Sequence, residues 1–269
     1  MNDSGAITLW VAAGRERAQL TIQTAKHRNP ATLHMTWLSA SQERRQLVNC
    51  LPVFIGHNAV AFAAKRVAPR TSLGVLMAAA MLVDLIWPIL LILGVEHVRI
   101  QRGATRMSPL DFTDYPWTHS LVMGIGWGIL FGVIYWGVSR YGRGALVVGL
   151  LVVSHWVLDF VVHRPDLPLV PGGGPKLGLG LWNRPFATLA IESAMFAIGI
   201  LIYRDTTKPR DRIGSIAFWA FVITLAAIYI ANASGTPPPN VRVLEYMALS
   251  GWLLPLWAAW FDRHREANV

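Results

Sequence analysis

The chain has 269 residues, of which 54% are hydrophobic and only 14% charged, with a formal net charge of +9. Soluble domains run near 25% charged, so this composition argues against both a disordered chain and a water-soluble enzyme. The excess of Lys and Arg falls in short gaps between apolar blocks, as in a multi-pass membrane protein, and not on a basic face suited to nucleic acid. A single cysteine, Cys50, excludes a disulfide framework and a cysteine zinc site.

Residues 1–49 mix Thr, Gln, Ser, Arg and scattered Trp without a sustained helical or strand period. They read as a poorly ordered arm with no signal-peptide core, compatible with an over-extended translation start. The transmembrane domain is expected over 50–263, followed by a tail at 264–269. A bilayer core about 30 Å thick needs roughly 20 helical residues. Six apolar blocks qualify, at about 71–95, 118–138, 144–163, 186–203, 213–231 and 243–261. The expected fold is therefore an all-α polytopic bundle of six full spans. A shorter block at 50–66, carrying Gly56, His57 and Asn58, adds a short first span or a re-entrant helix.

Pro88 and Pro255 should kink their helices, and Trp87, Trp117, Trp136, Trp182, Trp252 and Trp260 lie where interfacial aromatics are expected. Gly124, Gly128 and Gly132 repeat at the spacing of a close helix contact. The denser, shorter basic loops, including Lys65, Arg66, Arg140, Arg143 and Lys208, should be cytoplasmic. Loops 96–117 and 164–185 then face outward, in a multi-pass protein of the inner (plasma) membrane.

Ionisable groups inside spans cost several kcal/mol each, so they face the protein interior and usually serve function. His155, Asp159 and His163 are spaced i, i+4, i+8 on one helical face. Asp84 lies mid-block, Thr118-His119-Ser120 opens the next block, His57 sits early in the short first block and Glu192 interrupts a later one. In the expected topology most of these share the outward half. Imidazoles with carboxylates a turn away suit a divalent cation such as zinc. The metal ligands are taken as His57, Asp84, His119, His155 and Asp159, with Glu192, Asp114 and His163 as candidates for proton handling. The plainer alternative is that each polar group only hydrogen-bonds a neighbouring helix.

The set His57, Asp84, Thr118-His119-Ser120 and Ser154-His155-x-x-x-Asp159 resembles the YdjM-like family of bacterial inner-membrane proteins described as membrane-bound metal-dependent hydrolases. The likeness covers about residues 51–165. Where that family has Pro-Asp-Ile-Asp this chain has Val83-Asp84-Leu85-Ile86, and where it has His-Arg before Thr-His-Ser this chain has Asp114-Tyr115. The resemblance implies a hydrolase with a bound divalent metal. Headgroup depth makes a lipid-like ester or phosphoester the natural substrate, with the bilayer as partner. A permease using His and Asp for ion or proton coupling is the alternative. The last two spans, poor in polar groups, are left for packing or a homo-oligomer face.

Overall fold

A computed structural model describes residues 6–13, 16–23, 33–39, 55–234 and 237–268. Cys50 and the start of the first apolar block lie outside them. The chain forms two units, 1–49 and 50–269. In the first, β1 (Ala6–Ala13), β2 (Glu16–Gln23) and β3 (Leu33–Ser39) pair antiparallel in that order, with Ala6 opposite Gln23 and Glu16 opposite Ser39. The sequence reading found no strand period here. Short polar–apolar alternation does mark two of them, Ala18–Gln23 in β2 and Leu33–Trp37 in β3, in runs of only five or six residues.

The second unit is mostly helical. Its elements are α1 (Ile55–Val67), α2 (Leu73–Ala80), α3 (Leu82–Ile92), the short α4 (Pro116–His119), α5 (Leu121–Ser139), α6 (Gly142–Val162), α7 (Pro185–Thr206), α8 (Arg212–Ser234), α9 (Val241–Leu249) and α10 (Leu253–Asp262). Among the described residues, four helices are long and apolar enough to cross a membrane: α5, α6, α7 and the greater part of α8. A fifth span exists if α2 and α3 count as one, bent by 57°. Six uninterrupted spans are therefore not found, and two blocks account for the shortfall. Block 71–95 breaks at Met81, seven residues before Pro88, which stays inside α3. Block 243–261 is interrupted by a 3-10 turn, Ser250–Trp252. Pro255 cannot donate to the carbonyl of Gly251 four residues back, so the ladder fails just there.

The expected loops are not plain loops either. β4 (His97–Ile100) pairs with β5 (Leu110–Asp114), and β6 (Leu167–Val170) pairs with β7 (Gly173–Leu177), both antiparallel. The predicted tail is likewise a strand, β9 (Arg265–Ala267), paired with β8 (Thr207–Pro209). It is held because Arg265 turns inward and donates to Thr207 Oγ1, the Thr207 carbonyl and the Gly214 carbonyl at 2.9–3.0 Å. These short sheets make the fold mainly, not wholly, helical.

Two apolar clusters hold the unit together. One joins α1, α2, α6, α7, α8 and α10 around Phe62, Tyr203, Phe218, Phe221 and Phe261. The other packs both hairpins onto the ends of α3 and α6 through Trp87, Phe112, Tyr115, Leu167 and Trp182. Trp87 and Trp182 are thus core residues, correcting their interfacial reading, whereas Trp117, Trp136, Trp252 and Trp260 remain exposed. The hairpins supply a second apolar surface, through strands of only four or five residues. By contrast α5 exposes Val122, Ile129, Val133, Ile134 and Val138 in one continuous apolar surface, suited to lipid and not to water.

Helices α5 and α6 meet at glycines. A methyl added at Gly128 would stand 2.7 Å from the Gly149 carbonyl, a backbone atom that cannot swing aside, while one at Gly126 meets nothing within 4 Å. Gly128→Ala is therefore expected to cost about 1–3 kcal/mol by overpacking. Gly126→Ala should gain up to about 1 kcal/mol of helix propensity. Unfolding midpoints of the two variants in detergent check the contrast; equal midpoints would contradict the close contact.

Candidate metal centre

Each member of the cluster is set in place by a local feature of its element. His57 is the third residue of α1. Asp84 is the third residue of α3, just past the break at Met81. His119 ends α4, whose first residue, Pro116, has its φ pre-set for a helix. Ser120 then turns to an extended conformation and caps α5 by accepting from Met123 N at 3.3 Å. His155 and Asp159 lie one turn apart on α6.

These five side chains converge. Asp159 Oδ2 lies 3.2 Å from His155 Nε2 and 3.8 Å from His119 Nε2. Asp84 Oδ1 lies 3.3 Å from His119 Nε2 and 3.6 Å from His155 Nε2. Four atoms bound tetrahedrally at zinc distances sit about 3.4 Å from one another. The four imidazole–carboxylate separations, 3.2–3.8 Å, straddle that value. His57 approaches from the other side, its Nε2 3.2 Å from Asp159 Oδ1 and its ring stacked on His155 with centroids 3.9 Å apart. Two overlapping trios, His57–His155–Asp159 and Asp84–His119–His155, place their ligand atoms close enough to share an ion.

Hydrogen bonding selects the tautomers. His155 Nδ1 lies 2.8 Å from the Ala80 carbonyl at the end of α2. A carbonyl can only accept, so Nδ1 carries a hydrogen, and in the neutral ring Nε2 keeps the lone pair. That Nε2 is buried without a hydrogen-bond partner among the described residues. A fixed Nδ1–H with an inward Nε2 between two carboxylates suits a metal-binding imidazole. The break at Met81 thus does two things: it redirects α3 so that Asp84 faces α6, and it leaves the preceding carbonyl for His155.

Charge points the same way. Among the described residues no Lys or Arg pairs with Asp84 or Asp159. Two buried carboxylates with neutral imidazoles would be uncompensated, and a divalent cation restores balance. Four of the side chains are at most 4% exposed, but that of Asp84 is 18% exposed, so it marks the open side.

The three residues read as proton handlers fall elsewhere. Glu192 lies beside Gly56, its Cγ 3.8 Å from where a Gly56 Cβ would stand, bordering the cluster on the His57 side without entering either trio. Asp114 turns out to the surface and pairs with His97 at 3.6 Å. Regular alternation would put Asp114 on the same face as the inward Phe112, but the β4–β5 ladder is bulged between them, His97 facing Asp114 and Val98 facing Phe112, and Asp114 ends exposed. His163 Nδ1 instead meets Asp166 Oδ1 at 3.0 Å, with its ring against Trp182. Asp166 also accepts from Tyr115 at 3.2 Å and from Arg164 at 3.0 Å, and Arg164 reaches Asp111 and the Ala104 carbonyl. Burial pushes the Asp166 carboxyl up, but His163 and Arg164 outweigh it and hold it below its ordinary value. Burial and then Asp166 push the Tyr115 hydroxyl well above its ordinary value. This network ties the two hairpins together over the cluster.

Sequence reasoning missed Glu96 and the Ala80 carbonyl. Glu96 is buried and accepts from the Trp117 and Thr118 amides and the Thr118 hydroxyl. Its position in a presumed loop, 22 residues before Thr118, offered no periodic signal.

Comparison with family models, curated proteins and solved structures finds no match to this chain. The class defined by fold and site is a mainly helical bundle with four or five membrane-length apolar helices and a buried His/Asp cluster at its hairpin-capped end.

Proposed function

We propose that this chain is an integral membrane metalloprotein, with His155, His119, Asp84 and Asp159 holding a divalent cation, most simply zinc, and that it hydrolyses an ester or phosphoester of a lipid-like substrate. In this reading the bent pair α2–α3 counts as one span, α9–α10 as another, and α1 as a short re-entrant helix. The hairpin-capped end faces away from the cytoplasm of the inner (plasma) membrane. The observation that supports the metal assignment is the His155 Nδ1 contact to the Ala80 carbonyl, which turns a buried Nε2 toward two carboxylates.

A divalent cation held there supplies a Lewis acid for a carbonyl or phosphoryl oxygen and a more acidic water. His57 steadies Asp159 through its free oxygen, and Asp84 presents the approachable side of the centre. Glu192, beside Gly56 along the α1–α7 contact, is the proton acceptor in this reading. Lipid exposure of the surrounding helices favours a substrate delivered from the bilayer.

The helix break beside the cluster also favours a second reading, ion or proton transport, because discontinuous helices commonly frame transport sites. One purified preparation discriminates. Wild-type chain in detergent should retain stoichiometric metal, His155→Ala should fall to background, and the loaded protein should cleave a phospholipid or ester analogue in mixed micelles. Metal equal in both proteins would remove the site. Loaded protein that cleaves nothing but carries ions into vesicles would replace hydrolysis with transport.

A further inference from the structure

Glu96 forms three hydrogen bonds and takes no part in the chemistry above. Its carboxylate is buried at the end of the segment that follows α3. Oε1 accepts from Trp117 N at 2.8 Å and Thr118 N at 2.9 Å, and Oε2 accepts from Thr118 Oγ1 at 2.7 Å. A hydroxyl has one proton, and here it is committed to Glu96. Thr118 Oγ1 also lies 2.7 Å from His119 Nδ1. With its proton already donated, the hydroxyl can only accept from the ring, so Nδ1 carries hydrogen and, in the neutral ring that a metal needs, Nε2 carries the lone pair. That Nε2 faces Asp84 Oδ1 at 3.3 Å and Asp159 Oδ2 at 3.8 Å.

We propose that Glu96 is a positioning residue that acts through the Thr118 hydroxyl to fix the tautomer of His119, and thereby makes His119 a metal ligand. The inference rests on the metal reading of the cluster and deepens it. Metal-binding histidines are oriented by such outer partners, and their loss costs affinity without removing a ligand. For His155 the partner is a backbone carbonyl that no substitution alters. For His119 it is a chain of two side chains, open to mutation.

The plain alternative is that Glu96 only caps the start of α4. Glu96→Gln separates the two. The glutamine oxygen still accepts from the Trp117 and Thr118 amides, so the cap survives. Its amide nitrogen, however, faces the Thr118 hydroxyl as a donor. The hydroxyl must then turn its own proton toward His119 Nδ1, the ring hydrogen moves to Nε2, and a ligand nitrogen becomes a donor. Thr118→Val deletes the relay, and Thr118→Ser keeps it.

The test uses the full chain purified in micelles. Zinc affinity is measured by competition with a chromogenic chelator. The protonated ring nitrogen of His119 is read in the metal-free state from histidine ring 15N shifts, assigned by loss of the signal in His119→Gln. Glu96→Gln and Thr118→Val should each weaken zinc binding roughly 10–100-fold with the unfolding midpoint of the metal-free chain little changed. Thr118→Ser should stay near wild type, and the His119 hydrogen should move from Nδ1 to Nε2 in Glu96→Gln. Wild-type affinity in Glu96→Gln, or an unmoved hydrogen, overturns the relay. So does an affinity loss matched by a lower midpoint and shared by Thr118→Ser, which would leave Glu96 as a cap. A wild-type chain that binds no zinc overturns the metal reading instead, and the ring-nitrogen measurement on that sample then decides the relay alone.

Discussion

Asp159→Ala should leave the purified protein metal-free and make its unfolding insensitive to chelator. Among the described residues Asp159 is the one cluster member that approaches all three imidazoles, with Oδ1 3.2 Å from His57 and Oδ2 3.2 Å and 3.8 Å from His155 and His119. Removing it takes away one ligand and half of the buried negative charge that attracts a cation. A metal present at about 1,000 times its dissociation constant stabilises the fold by about 4 kcal/mol. Wild-type protein should therefore lose that increment when chelator is added. Asp159→Ala should start from the lower value and not move. Elemental analysis and thermal unfolding with and without chelator read both effects. A variant that keeps its metal, or a wild type indifferent to chelator, contradicts the assignment.

The cluster was legible because hydrocarbon makes charge conspicuous. His155 and Asp159 stand one helical turn apart within an apolar block, and Asp84, His57 and His119 interrupt or open other blocks. The geometry that tunes them was not legible. Ala80 contributes a backbone carbonyl, which every residue has, and it is free only because the helix breaks at Met81. That break lies away from Pro88, the residue that composition flags. Pro88 is accommodated inside α3, where the nearby Leu85 carbonyl accepts from Trp252 Nε1 at 3.1 Å. Glu96 lay hidden for the opposite reason: next to a polar stretch a carboxylate is unremarked, and the strands β4 and β5 that follow it alternate over only four or five residues. The same hairpins draw Trp87 and Trp182 into a core, so two tryptophans read as interfacial are packing residues. Asp114 and His163 show the limit of reading depth alone. Both lie next to elements that carry the cluster, but a bulge in the β4–β5 ladder leaves one exposed and Asp166 engages the other.

A second large effect is expected at the far end of α1, away from the centre. Lys65 Nζ lies 2.7 Å from Asp262 Oδ2 and 2.9 Å from the Thr71 carbonyl, and both charged side chains are almost wholly buried. Asp262 further accepts from Leu73 N at 2.9 Å and from the Tyr203 hydroxyl at 2.7 Å. One carboxylate thus joins the end of α1, the start of α2, α7 and α10. Asp262→Ala would strand a buried ammonium, an amide and a hydroxyl together, and should cost about 3–5 kcal/mol. That is a large share of the roughly 5–15 kcal/mol that holds a typical domain folded. The pair itself need not be a net source of stability, since desolvating two charges offsets most of their attraction. Lys65→Met combined with Asp262→Leu should accordingly recover much of the loss, leaving mainly the unpaired Leu73 amide and Tyr203 hydroxyl. Denaturant unfolding of the three proteins in one detergent gives the comparison. If Asp262→Ala unfolds within about 1 kcal/mol of wild type, Lys65 has found water, and this end of the bundle is wetter than its packing implies. If the double variant is no better than the single, the carboxylate matters for the helix ends that it ties and not for the charge that it pairs.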